Sequence, residues 1–469
     1  MTFLSIKSVF IFRLIGPFNK YLVNIFLVKK TIYLSLVSCI ITYFILNLSP
    51  QFLGTIQPDS YSYINGHSSR PFNYHFLIKL FNNNYEFLIV FQKILLSTSL
   101  VSLCFFLYLR KINNILIILF YLALLGNYYY TSYSKILLTE SIFFSLFNFA
   151  IVLYFNLRNK YYIILFGICC GLISIIKPIG LVITSIFFIF SFFQLNKFGK
   201  VLPILIIILS IIFLENLGFY SNHEKKQTVL PNSIIGKLFI LSGKKNFNLE
   251  KYPPEYKKIL ESSKKDFLPV HDFLSKINNP FLRAELSADY EVLAQYQAFE
   301  LENLKLHIGI KEKIFSDHKV LVKYMLKNNF LDYLNLSFFH YLGNWSIGSK
   351  ILYLEKIEEE PPHYDKLSKV SGEINLPKDF LLIFVQLFFY FLFVVMLVYT
   401  LINILNIFKK KIIIEDLLYI FILQAYLLSI SLINVSTPRY LMLVYPLLLI
   451  ICLRLYHLCD LSKLFRKFN

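Results

Sequence analysis

The stretch LLIFVQLFFYFLFVVMLVYTL, residues 381–401, carries no charged side chain from end to end. A helix of about 20 apolar residues crosses the hydrocarbon core of a bilayer. A second run, VLPILIIILSIIFL at 201–214, has the same character. Outward from these two, apolar segments recur along most of the chain. Of 469 residues, 57% are hydrophobic, and the mean hydropathy is +0.60. A soluble domain is nearer 45–50% apolar, so composition excludes an ordinary soluble protein and predicts an all-α polytopic membrane protein. No cleavable signal peptide is expected. Lys7, Arg13, Lys20 and Lys29 interrupt the apolar runs of residues 1–30, and no small-residue cleavage site follows.

Ten spans are predicted, at about 31–49, 87–109, 114–131, 138–156, 161–177, 179–195, 201–219, 379–407, 412–433 and 441–457. Cytoplasmic loops concentrate Lys and Arg. With the N terminus inside, every inner segment is basic: residues 1–30, Arg110–Lys111, Arg158–Lys160, Lys197–Lys200, Lys409–Lys411 and the tail 458–469. The expected organisation is a cytoplasmic or interfacial segment 1–30, a seven-span core 31–219 with a first outer loop 50–86, an extracytoplasmic domain 220–378, three C-terminal spans 379–457, and a cytoplasmic tail. Segment 220–378 holds most of the acids and reads as mainly helical. The implied location is a membrane, crossed many times, with both termini cytoplasmic.

The formal net charge of +19 follows largely from this topology. Nucleic acid is not an expected partner, because no basic–aromatic binding motif appears. No Gly-rich phosphate loop supports cytoplasmic ATPase chemistry. The six cysteines lie in or beside apolar segments and form neither a disulfide framework nor a zinc signature.

Only three acids precede Glu215: Asp59, Glu86 and Glu140. The topology puts all three outside. Membrane-edge acids are costly to bury and mark function by default. Each also reads as a helix N-cap, where a carboxylate is favoured. Asp59, in IQPDSYSYINGHSSRPFNYHF at 56–76, would cap a short loop helix; Glu86 would cap the second span, and Thr139–Glu140 the fourth. Lys177, before Pro178, and Arg439, in TPRYL, break the charge rule that the other loops obey. A cation kept on that side suggests an anionic partner such as phosphate, with lipid-headgroup snorkelling as the alternative. Arg70 is a third candidate cation. Carboxylates suit activation of a hydroxyl, and cations suit a phosphate leaving group. Asp59 and Glu140 are therefore the candidate catalytic pair. Lys177, Arg439 and Arg70 are candidates to bind the donor phosphate. Tyr61, Tyr63, Asn65, His75 and Tyr440 form a candidate substrate rim. The single Trp345 reads as an interfacial anchor.

The order PDSYSYI, TES, KPIGL and TPRYLMLVYPLLLI resembles the GT-C superfamily of membrane glycosyltransferases. The similarity is to the bacterial branch related to protein O-mannosyltransferases and lipid A aminoarabinose transferases. It covers about 31–219 and 379–457. It implies a GT-C-like core and a sugar taken from a polyprenyl-phosphate carrier on the outer face. The acceptor implied is a glycan, lipid or protein. It also implies a role in cell-envelope biogenesis, with Asp59 as base, Glu140 as second acid, and Lys177 and Arg439 on the phosphate. Many relatives have two adjacent acids in the first loop, where this chain has Asp59–Ser60, and often Arg where it has Lys177. No cofactor is therefore expected, with a divalent metal as the alternative. Other readings are an O-antigen-type polymerase or ligase built on Arg283, His307, His318 and His340, a polytopic transporter or flippase, and a scaffold without chemistry. The transferase reading requires Asp59, Glu140, Lys177 and Arg439 to converge.

Overall fold

The computed structural model describes residues 33–49, 55–67, 70–196, 198–222, 230–300, 311–346, 362–363, 379–411, 413–433 and 438–458. Segment 1–30, the tail beyond 458, His307 and the Arg439 side chain lie outside the described residues. Within them the chain forms eighteen helices and no strand. They are α1 Tyr33–Leu48, α2 Pro58–Ile64, α3 Phe72–Leu80, α4 Tyr85–Leu109, α5 Asn114–Gly126, α6 Tyr128–Ser132, α7 Glu140–Tyr154, α8 Lys160–Ile176 and α9 Gly180–Leu195. There follow α10 Phe198–Asn222, α11 Leu230–Ser242, α12 Pro254–Lys276, α13 Pro280–Glu300, α14 Lys311–Asn328, α15 Phe330–Gly343, α16 Asp379–Phe408, α17 Ile414–Ile433 and α18 Pro438–Leu458.

Four of these hold segments long and apolar enough to cross a membrane: Tyr85–Leu109, Phe198–Ser221, Phe384–Phe408 and Ile414–Ile433. The chain is thus a helical membrane protein. The apolar helices α1, α5, α7, α8, α9 and Tyr440–Tyr456 of α18 are shorter, at 10–17 residues. The stretch 114–131, expected as one span, breaks at Asn127. That residue leaves the helical conformation with ψ 94°, and its Oδ1 accepts from the Tyr130 amide at 3.2 Å. Asn competes with helical continuation by bonding the backbone locally, so α6 starts anew.

Two apolar clusters organise the packing. One gathers buried Leu, Ile and Phe from α4, α5, α7, α8, α9, α16, α17 and α18. The second runs from Ile234 to Leu336 and is built by α11 to α15. They meet along α15. Tyr333 donates to the Leu432 carbonyl at 2.6 Å, Tyr341 to Gln424 Oε1 at 2.8 Å, and Asn344 Nδ2 to Ser431 Oγ at 3.1 Å. Trp345 closes this seam. It is 0% exposed, with its ring 5.2 Å from that of Phe393 on α16. The expectation of an interfacial anchor is therefore corrected: an indole sealed inside protein cannot meet a headgroup layer.

Helix termini sort onto two ends of the bundle. At one end, Arg110 pairs with Glu415 at 3.1 Å and Arg454 with Asp416 at 2.8 Å, tying α4, α17 and α18. The other end carries α2, α3 and most of the candidate residues.

Candidate functional site

Helix α2 begins where Pro58 supplies a helix-ready φ in the first turn. The Gln57 amide donates to Ser60 Oγ at 2.9 Å, closing that turn. Asp59 sits in the same turn, where the helix dipole favours a carboxylate. Its Oδ1 accepts from Arg70 Nη2 at 2.7 Å. Arg70 Nε donates to Ser62 Oγ at 2.8 Å, and the guanidinium lies 4.9 Å from the Tyr63 ring centroid. The capping duty expected of Asp59 thus falls to a box of Gln57 at the cap and Ser60 three residues on, and Asp59 turns to a cation. Both members of the pair stay partly open, at 36% for Asp59 and 29% for Arg70.

The turn from α2 to α3 needs glycine. Gly66 has φ +59°, and a Cβ there would lie 2.8 Å from the His75 ring. His75 Nδ1 sits 3.0 Å from the Tyr63 carbonyl oxygen, so this expected rim residue ties α3 to α2. Glu215 of α10 fixes the start of α3. Its Oε1 accepts from the Phe72 amide at 2.6 Å, and its Oε2 from the Asn73 amide at 3.0 Å and from Asn73 Nδ2.

A second ion pair lies deeper. Glu140 is the first residue of α7, and Lys177 follows the last residue of α8. Gly180 makes the KPIG turn possible: a Cβ there would meet the Ile173 carbonyl oxygen at 2.0 Å. The turn delivers Lys177 Nζ to Glu140 Oε1 at 2.7 Å, with the side chains 10% and 1% exposed. Lys177 also lies 5.6 Å from the Tyr440 ring centroid.

The two pairs are joined. Tyr63 Oη lies 3.5 Å from Thr139 Oγ1, which lies 3.4 Å from Glu140 Oε2. Tyr74 meets Tyr63 edge-on at 5.1 Å. Gln92 of α4 donates to the Tyr74 hydroxyl at 2.8 Å and to the Leu138 carbonyl at 3.2 Å, just ahead of Glu140. Burial, with the neighbouring Tyr63 phenol and then the Glu140 carboxylate adding to it, holds the Tyr74 phenol well above its ordinary range. One contact chain therefore runs Asp59, Arg70, Tyr63, Thr139, Glu140, Lys177, Tyr440.

The structure thus brings together Asp59, Glu140, Arg70, Lys177, Tyr63 and Tyr440. Tyr61, 59% exposed, and Asn65 lie on the open side of α2 and its end. Two cations expected to await a phosphate, Arg70 and Lys177, each hold a carboxylate instead. Glu86 is exposed in the first turn of α4, whose cap is Asn84, accepting from the Phe87 amide at 3.2 Å. Sequence reading gave Thr139 only a capping role and missed Gln92 and Glu215, whose importance lies in contacts across the fold. It also missed Lys135, which breaks the same charge rule that singled out Lys177.

His318 and His340 are both 0% exposed. Glu291 accepts from Lys237 Nζ at 3.0 Å through both oxygens, and His340 Nε2 lies 2.9 Å from Glu291 Oε2. Burial alone would raise the Glu291 carboxyl, but Lys237 and His340 outweigh it and hold it below the usual range. These histidines are packed inside the second cluster and present no face to a substrate. Among the described residues no three His, Cys, Asp or Glu side chains gather as a metal site requires. A cleft of about 640 Å³ lies elsewhere, between α1, α4 and α5, lined by Leu34, Ser38, Cys104 and Tyr121. Compared with known protein families, curated proteins and solved structures, the chain matches none.

Proposed function

We propose that this protein is a membrane glycosyltransferase. It moves a sugar from a polyprenyl-phosphate donor to a glycan, lipid or protein acceptor on the outer face of a bacterial inner membrane. Ten spans, both termini cytoplasmic and a GT-C-like core belong to the same proposal. The observation that supports it is the contact chain from Asp59 to Tyr440, which joins two carboxylates to two cations at one end of the bundle.

Exposure divides the roles. Asp59 is open enough to meet an acceptor, whereas Glu140 is sealed behind Lys177. In the proposed step the acceptor hydroxyl gives its proton to Asp59. Its oxygen forms a bond to the anomeric carbon with inversion, and the bond from that carbon to the phosphate oxygen breaks. The polyprenyl phosphate leaves with the electron pair. Arg70 holds the Asp59 carboxylate in orientation, and Glu140 with Thr139 and Tyr63 supports it from behind. The reaction is proposed to need no divalent metal, and abolition of transfer by a chelator refutes that part.

The test is an in vitro transfer assay with a panel of labelled polyprenyl-phosphate sugars, comparing wild type with Asp59→Asn. Transfer by wild type and its loss in a folded Asp59→Asn protein is the expected result. Full activity in the variant removes Asp59 as base. Failure of wild type on every donor removes the transferase reading.

A further inference from the structure

Lys135 and Lys93 converge on the C-terminal end of α1. Lys135 Nζ donates to the Asn47 carbonyl at 2.9 Å and to the Ser49 carbonyl, and Lys93 Nζ donates to Asn47 Oδ1 at 2.7 Å. Three lysines are buried among the described residues: Lys135, Lys177 and Lys237. Lys177 holds Glu140 and Lys237 holds Glu291. Among the described residues, neither Lys135 nor Lys93 has a carboxylate within ion-pair distance. Burial, then the neighbouring Lys93 charge, pushes the Lys135 ammonium below its ordinary range.

A capping role accounts for one cation only. The end of a helix carries about half a negative charge, so two ammonium groups leave about one and a half positive charges unmatched. A phosphate monoester carries about that charge, −1.5 to −2 near neutrality. Apolar side chains in the same closing stretch of α1 are open: Phe44 and Leu48 are 60% and 85% exposed. A charged head between cations with an apolar chain along the helix is the chemistry of a phosphate-bearing lipid.

We propose that Lys93 and Lys135 form a binding site for the phosphate head of a lipid at the C-terminal end of α1. The site is separate from the Asp59–Glu140 contact chain and stands whether or not the protein transfers sugar. Two sources supply the same chemistry, a monoester lipid and a bulk diester phospholipid.

The full chain, purified in uncharged detergent, is titrated with dodecyl phosphate, with short-chain phosphatidylglycerol and with inorganic phosphate, and adducts are counted by native mass spectrometry. Wild type is expected to bind dodecyl phosphate saturably. Lys93→Gln is expected to weaken binding about tenfold or more, the scale of one lost charge-assisted hydrogen bond. Lys79→Gln, at an exposed position of α3, should bind as wild type does. Preference for dodecyl phosphate identifies a monoester lipid, and equal binding of phosphatidylglycerol identifies bulk phospholipid; both support the site. Equal titration of wild type and Lys93→Gln overturns it, as does an equal loss in Lys79→Gln or equally tight inorganic phosphate. Lys135→Gln also removes the α1 cap, so Lys93→Gln, with unchanged helicity, remains the deciding variant. A chain that binds lipid phosphate yet transfers nothing overturns the transferase reading and leaves this site intact.

Discussion

Replacing Lys177 by Met removes a full charge from beside a carboxylate that is 1% exposed. At the observed 2.7 Å, the direct attraction is about 6 kcal/mol for an effective dielectric of 20. Most of that offsets the cost of drawing two ions out of water, so the pair as a whole adds little net stability. Removing one partner is different, because Glu140 stays buried without its counter-charge. The expected loss is about 3–5 kcal/mol. Replacing both partners, as Glu140→Gln with Lys177→Met, should return the protein to within about 2 kcal/mol of wild type. The assay is unfolding in mixed micelles, followed by helicity and by emission of the single Trp345, whose burial in the seam makes it a reporter. A loss below about 1 kcal/mol for Lys177→Met, or a double variant no better than the sum of the singles, refutes the reasoning.

Arg70→Lys keeps the charge but loses the fork that reaches both Asp59 and Ser62. Transfer should fall about tenfold or more, while stability stays within about 1 kcal/mol because the pair is open to solvent; unchanged rates would remove Arg70 from the site. Gly180→Ala drives a Cβ into the Ile173 carbonyl, and a loss of about 3 kcal/mol or more should appear as a lower melting temperature, with an unchanged melt excluding the tight turn. His318 is held neutral by burial, its imidazole pushed down to about 4. The unfolded chain binds that proton from about pH 6.5 downward and the folded chain does not until about 4, so stability falls by roughly 3 kcal/mol as pH drops through this window. His340, also lowered by burial, adds in the same sense. His318→Gln should flatten the acid side of a melting-temperature profile, and an unaltered slope would exclude the histidine.

The membrane class was legible because it is written in one dimension. Bilayer thickness sets a length of apolar sequence, and stretches such as 381–401 meet it. The rarity of acids and the two misplaced cations point to Asp59, Glu140, Lys177 and Arg439 from the sequence alone. Local chemistry misled where two local choices competed. Asp59 and Ser60 both suit the first turn of α2, and nothing in their order says that Ser60 closes the capping box with Gln57 and leaves Asp59 for Arg70.

Sequence by itself determined the solvent this chain is built for, most of its apolar helices and a short roster of polar residues worth explaining. Partner choice among those residues was decided by tertiary structure alone. Glu140 and Lys177 are 37 positions apart, Tyr63 and Thr139 are 76, and Phe72 and Glu215 are 143. Such pairings depend on where helix ends meet in space. Burial then fixes their meaning: the same Lys–Glu pair is a weak surface contact in water and a strong mutual constraint when both charges are sealed from it. Trp345 shows the reverse case, a residue whose type suits a membrane interface and whose position buries it in a seam between two clusters.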